Sequence, residues 1–394
     1  MAFAVIQFEQ NERRKKMKKK IILTPLICLS FLTYCSRETQ PEVEEIVLEE
    51  KSEPANVKFV FEKKVEVPDM AYPSLHTTGK ELYVLGFSTE KHKKVILNIY
   101  NEALELCSQK EFNIGKGPGD LGTGCFIFKF DDRIYFPDNT QMRVNIFDNE
   151  FNFIKFVPLT KQIFLPVTFI KNGNYFLGTT PGVTKKVKNI YHSYIVQFPG
   201  LSKKPFHTLG PMNTWSSSSL TAPRKYVYGS IPDFHYFYKN EKIYFIKMDD
   251  YQLSLFDMEG QLLKKARVNV EKKKVPKEKK IPWLNEIRGR LPLEKVDLTD
   301  HIQPAGWMIP LDKGFAVVRK KGYGTRCKGM VEADYFDYQL NPMGKLEVPC
   351  FYRIYRLRRG YFVWVCQYQD GYLYLINEDE GNETFYLEKW KVTE

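Results

Sequence analysis

No window of this sequence keeps the i, i+3, i+4, i+7 apolar spacing for more than about two helical turns, Trp283 to Arg290 excepted, which excludes a helix-built fold. One apolar run approaches membrane-spanning length. It covers Ile21 to Tyr34, 14 residues against the ~20 that a spanning helix needs, so a multi-span membrane protein is excluded too. The seven cysteines include no C-x-x-C pair, and the six histidines are scattered without a His-x-x-x-His spacing, which argues against a zinc knuckle, a dithiol redox centre and a helical metal pair. Gly-x-Ser-x-Gly is missing, and with it the hydrolase elbow. No cofactor, no metal site and no catalytic residue is nominated on these grounds.

What the 394 residues do have is aromatic side chains, 15% of the total, together with 43% hydrophobic residues and a net charge of +12. Such a composition suits pleated, half-buried surfaces and excludes disorder for most of the chain.

The amino terminus has the form of an export signal. A basic block from Arg13 to Lys20 precedes the apolar run, which ends at Cys35, and Met17 offers a second start with an ordinary leader. Leu32-Thr33-Tyr34-Cys35 resembles the lipobox of bacterial lipoproteins, although Tyr34 stands where a small residue is usual. Acylation of Cys35 would anchor the chain, since each buried methylene contributes ~0.8 kcal/mol. Residues 1–35 are therefore expected to be a signal peptide. The next segment, 36–56, carries seven Glu against Arg37 and Lys51 and reads as an acidic, flexible tether.

From residue 57 to 394 the sequence repeats one phrase. Arg133-Ile-Tyr-Phe-Pro-Asp138 is followed by Arg143-Val-Asn-Ile-Phe-Asp148, a turn and Phe151 to Val157; Lys242-Ile-Tyr-Phe-Ile246 is followed by Gln252 to Asp257, a turn and Gln261 to Lys264. Further second-strand phrases begin at Glu81, Asn174, Gly314 and Gly360. Six four-stranded units predict an all-β fold, a six-bladed β-propeller of antiparallel blades, because one four-stranded sheet cannot bury both its faces alone. The ring is expected to close through the N-terminal strand Val57 to Val67, paired beside Thr384 to Val392. Seven blades or two tandem β-sandwiches remain as alternatives.

Gly115-Lys-Gly-Pro-Gly-Asp120, followed by Arg133 to Asp138 and Ile146 to Asp148, resembles the uncharacterised six-bladed β-propeller lipoproteins of Gram-negative bacteria, within the broader TolB-like and NHL-like propeller group. Asp120 and Pro137 depart from the usual Glu and Ala. The resemblance implies an exported, lipid-anchored propeller with no agreed activity.

First strands of propeller blades line the central channel. They are expected near 74–78, 126–130, 168–171, 234–238, 307–311 and 352–356, which makes His76, Lys129, His235, Arg353 and Arg356 candidate channel ligands. Nine Lys or Arg against two Glu between Lys264 and Lys280 form the sharpest charged feature, within a basic insertion placed at 264–304. Lys272, Lys273, Lys274, Lys277, Lys279, Lys280 and Trp283 are the candidate docking residues there, for anionic headgroups, an acidic glycan or a protein. The Gly115 to Asp120 loop lacks phosphate-loop spacing and reads as a crossing turn.

These features predict a lipid-anchored cell-envelope protein of the outer membrane, facing the periplasm or the cell surface. Its expected role is a non-catalytic binding or scaffolding module. The expected partners are the membrane, through the lipid, and an envelope protein or glycan; a nucleic acid is disfavoured and a monomer is expected. A channel-site enzyme of lactonase or lyase type, or a sensor of extracellular ligands, is the alternative function.

Overall fold

Neighbouring side chains on an extended chain point to opposite faces, so a strand that is apolar at every position needs cover on both sides. The computed structural model satisfies that need with stacked sheets. It describes residues 43–89, 94–130, 132–138, 140–159, 166–170, 174–181, 190–197, 203–211, 226–228, 234–248, 250–274, 296–298, 301, 304–319, 326–327, 329–349, 352–353, 366–379 and 384–394.

The chain begins with β1 (Glu45–Glu49) and β2 (Lys58–Val67). Sheet A contains β3 (Met70–Thr78), β4 (Glu81–Ser88), β5 (Lys94–Asn101) and β6 (Leu106–Asn113); sheet B contains β7 (Phe128–Phe130), β8 (Arg133–Asp138), β9 (Arg143–Asp148) and β10 (Phe153–Pro158). Sheet C is β11 (Pro166–Ile170), β12 (Tyr175–Pro181), β13 (Ile190–Gln197) and β14 (Lys203–Pro211), and β15 (Tyr226–Tyr228) follows it. Sheet D has β16 (Phe234–Lys239), β17 (Lys242–Lys247), β18 (Gln252–Phe256) and β19 (Leu262–Asn269), after which β20 (Val296–Leu298) pairs with β15. Sheet E is β21 (Ala305–Pro310), β22 (Gly314–Arg319), β24 (Met330–Asp337) and β25 (Pro342–Pro349), while β23 (Arg326–Cys327) pairs with β26 (Tyr352–Arg353) in a separate ribbon. Sheet F joins β27 (Cys366–Gln369), β28 (Tyr372–Asp379) and β29 (Thr384–Thr393) to β2. No helix occurs among the described residues.

The expectation of six four-stranded blades is corrected: five sheets have that form. Sheets A, B, C, E and F have four strands each, whereas D has five because β1 adds in parallel to β19. That addition also revises the expected tether. Over 45–49 the acidic segment is a strand, since Glu45 lies 2.8 Å from the Lys265 ammonium and 3.1 Å from Arg267. Equally, the basic insertion placed from 264 begins inside β19 rather than after it.

The core repeats one device. On β4, Leu82 and Val84 pack towards sheet F while Tyr83 and Leu85 pack towards sheet B. On β17, Ile243 and Phe245 face sheet C while Tyr244 and Ile246 face sheet E. On β28, Leu373 and Leu375 meet sheet E, and Tyr374 and Ile376 meet Leu75 and Leu82 of sheet A. Each second strand thus serves two cores, at roughly 1.5–3 kcal/mol per fully buried large side chain.

Four hairpins share one turn between their third and fourth strands. Asn101, Asp148, Asp257 and Asp337 each accept backbone N–H bonds through Oδ1, at 2.7–3.0 Å, from residues two to four positions on. The fourth residue of each turn is left-handed: Leu104 (φ 57°), Phe151 (68°), Gly260 (78°) and Leu340 (65°). Leu104 and Leu340 point their side chains into the intersheet cores.

The N-terminal segment runs along three outer edges in turn. After β1 on sheet D, Ala55 N–H donates to Lys345 O at 2.7 Å and Lys345 N–H donates to Glu53 O at 2.8 Å, on the outer strand of sheet E. β2 then pairs antiparallel with β29 of sheet F.

Candidate functional site

The edge strands opposite those outer edges are β3, β7, β16, β21 and β27, and they adjoin one another: β3 touches β7 and β27, and β21 touches β16 and β27. His76 on β3 and His235 on β16 lie among them, each only 6% exposed. The rings of Phe126 and Phe128 meet His76 edge-on, at centroid distances of 6.1 and 6.0 Å. Burial pushes its imidazole pKa down to about 3, which holds it neutral, and its Nε2 has no hydrogen-bond partner among the described residues. His235 accepts the Met308 N–H through Nδ1 at 3.3 Å and meets the Trp307 ring edge-on at 5.2 Å. Burial lowers its pKa to about 3 as well.

Lys129 on β7 is committed elsewhere. Its ammonium lies 2.7 Å from Oε2 of Glu81, which also accepts the Tyr83 hydroxyl at 2.6 Å. Burial works against the Glu81 carboxylate, but the bonds from Lys129 and Tyr83 outweigh it and lower the pKa. The pair links β7 of sheet B to β4 of sheet A. Glu81, beside this inner face, is the residue that sequence reasoning missed; Trp307 lay on an expected first strand without being nominated as a ligand. The signal for Glu81 was a lone acid opening a second-strand phrase, opposite Thr78 in the hairpin register.

Arg353 is not an inner-strand residue. It lies on β26, opposite Arg326 in the separate ribbon, and the inner strand of sheet F is Cys366–Gln369. The sequence reading placed the first and second strands of this sheet within 352–364, whereas its second strand, with Leu373 to Leu375 and Ile376 buried, is Tyr372–Asp379. Arg356 lies outside the described residues, as do Cys35, Lys277, Lys279, Lys280 and Trp283. Of the other docking candidates, Lys272 pairs with Asp250 at 3.1 Å, while Lys273 and Lys274 are exposed.

The Gly115–Asp120 loop is built to hold a cation of its own. Arg143 donates to the carbonyls of Lys116 (3.1 Å), Gly117 (2.9 Å) and Asp120 (2.9 Å), and Gly117 N–H donates to the Asp120 carboxylate at 2.8 Å. Its carbonyls turn onto a guanidinium, the opposite of an anion cradle. Asp138 anchors the neighbouring loop by accepting N–H bonds from Gly122, Thr140 and Gln141, and burial raises its pKa despite them. Cys107, Cys125 and Cys366 are free thiols. Among the described residues no group of three or more His, Cys, Asp or Glu is placed to hold a metal.

Antiparallel sheets packed face to face, with edge strands of sheets A, B, D, E and F adjoining on one side, define a β-propeller. Among solved structures, a member of the DUF4221 family from Bacteroides vulgatus is similar, with a TM-score of 0.52 at 11% identity, over 87% of this chain and 99% of that one. A Bacteroides fragilis protein named for its expected export is similar at a TM-score of 0.50 and 10% identity, over 89% of this chain and 100% of that one. At such identities the likeness is one of fold. No protein-family model and no curated protein matches the chain, so the TolB-like and NHL-like resemblance is carried no further than the propeller.

Proposed function

We propose that this chain is an exported, lipid-anchored propeller of the cell envelope, closed into a ring, whose inner face binds a protein segment or glycan without turning it over. The observation that carries the reading is the pairing of buried, neutral imidazoles with aromatic edges on adjoining inner strands: His76 with Phe126 and Phe128, His235 with Trp307. Rings with few converging charges suit the apolar faces of sugars and the side chains of peptides. The leader, Cys35 and the likeness to a protein named for export support the address. Surface plasmon resonance against defined envelope glycans and solubilised envelope proteins tests the role. Trp307→Ala is expected to weaken binding ~10-fold, about 1.4 kcal/mol. Binding left untouched by Trp307→Ala and by His235→Phe would overturn it. An intact mass carrying acyl chains at Cys35 is the expected result for the anchor; an unmodified Cys35 in membrane-extracted protein would refute it.

A further inference from the structure

The outer edge of β19 holds a short acidic strand in a way that resembles a bound peptide. β1 pairs with it in parallel over five residues, Glu45 opposite Lys265 through Glu49 opposite Asn269. The side-chain contacts are mostly polar. Glu45 meets Lys265 and Arg267 and accepts the Gln252 amide at 2.6 Å; Glu49 accepts the Asn269 amide at 3.2 Å. Leu48 alone of its apolar side chains packs on the core between sheets D and E, whereas Ile46 and Val47 are 42% and 53% exposed. A strand held by one leucine, a half-buried carboxylate between solvent-reached Lys265 and Arg267, and a single ladder of backbone bonds is weakly held, because ion pairs near the surface contribute about 0–1 kcal/mol each. What keeps it in place is its attachment to the next residues, Glu50 paired with Arg319 at 3.0 Å and with Lys345 at 3.3 Å, and Glu53 and Ala55 bonded to the Lys345 backbone, which raises its effective concentration.

We propose that the β19 edge is a binding site for an acidic, extended peptide segment of a partner protein, and that residues 45–49 are its built-in, displaceable occupant. The site reads main-chain hydrogen bonds along β19, one carboxylate between Lys265 and Arg267, an apolar residue three positions later at the Leu48 place, and a second carboxylate at Asn269. β-Strand addition supplies the affinity and the basic side chains supply the sign of the ligand. This goes beyond the inner-face reading and does not depend on it.

The test uses full-length protein and a fluorescent synthetic peptide of residues 43–56. In an E45K/E49K variant, whose own strand meets like charge, the peptide is expected to bind, with affinity falling at least ~10-fold between about 50 and 500 mM salt. Wild type should bind it more weakly than that variant, since its site is filled. Adding Lys265→Glu and Arg267→Glu to the variant should abolish binding. Hydrogen exchange on the wild type guards against a misfolded variant: amides of 45–49 should exchange well ahead of those of Ile243 to Phe256. Binding that ignores the Lys265 and Arg267 reversals, no binding to the folded E45K/E49K variant, or 45–49 amides protected as strongly as β17 and β18 would each overturn the proposal.

Discussion

His76 and His235 stay neutral in the fold because burial penalises their charged forms, with pKa values near 3 against an ordinary 6.5. Between those values the unfolded chain binds more protons than the native one, so each histidine makes stability fall as pH drops below about 6.5. The expected loss is about 1 kcal/mol per histidine between pH 6.5 and 5.5. Urea denaturation at both pH values measures it, and a His76→Phe, His235→Phe double variant should show a shallower pH slope. The variant is needed as a control because Asp138 and Asp334, whose pKa values burial raises, pull the slope the other way. A slope that persists in the double variant would place the effect elsewhere. Asp334 is itself held by the Arg319 guanidinium and the Tyr251 hydroxyl, and Arg319 reaches Glu50 at 3.0 Å. One buried group thereby links sheets D and E to the N-terminal segment.

The shared hairpin turn explains why a left-handed leucine is tolerated. Its backbone costs of order 1 kcal/mol, and burial of the side chain between sheets offsets that. Leu340→Ala should therefore destabilise by ~2–4 kcal/mol, and Asp337→Ala, which frees the N–H groups of Gln339 and Asn341, by ~1 kcal/mol. Chemical denaturation checks both, and the reverse order of costs would contradict the account. Gly344 makes a different demand. At φ 141° an added Cβ would lie 2.7 Å from Glu53 O and 2.9 Å from Ala55 N, so Gly344→Ala should lift the segment off sheet E. The expected sign is faster tryptic cleavage after Lys51 with little change elsewhere.

These elements were legible in unequal measure. Second strands such as Ile134-Tyr-Phe136 and Ile243 to Ile246 announced themselves because both faces are buried, leaving unbroken apolar runs, and the β2–β29 pairing followed from a strand left over. β1 was hidden. Its basic partners on β19 lie about two hundred residues away, and an acidic run without its counter-charges reads as solvated chain. Sheet F was displaced by one strand pair because aromatic content outweighed alternation in the reading of 352–364. At the inner face, His76 and His235 were found by their place on first strands. The ion pair that occupies Lys129 depends on the contact between two sheets and left no local mark.

At the scale of the molecule, no sheet owns its core. Phe336 packs between sheets D and E, and Leu387 between F and A, so loss of either side chain weakens two sheets at once. Phe336→Ala and Leu387→Ala should each cost ~3 kcal/mol and keep a single unfolding transition, with the same dependence on denaturant as the wild type. Calorimetry resolving two separate transitions in either variant would show that the sheets unfold independently.

The route of residues 45–67 over the edges of D, E and F has a mechanical consequence. Tension applied upstream of Glu45 meets three attachments in series: the ladder on β19, the grip of Lys345 and the long pairing with β29. Whatever tugs on the amino end is resisted at the rim, one fastening after another, while the inner strands carry no load until the last of them parts.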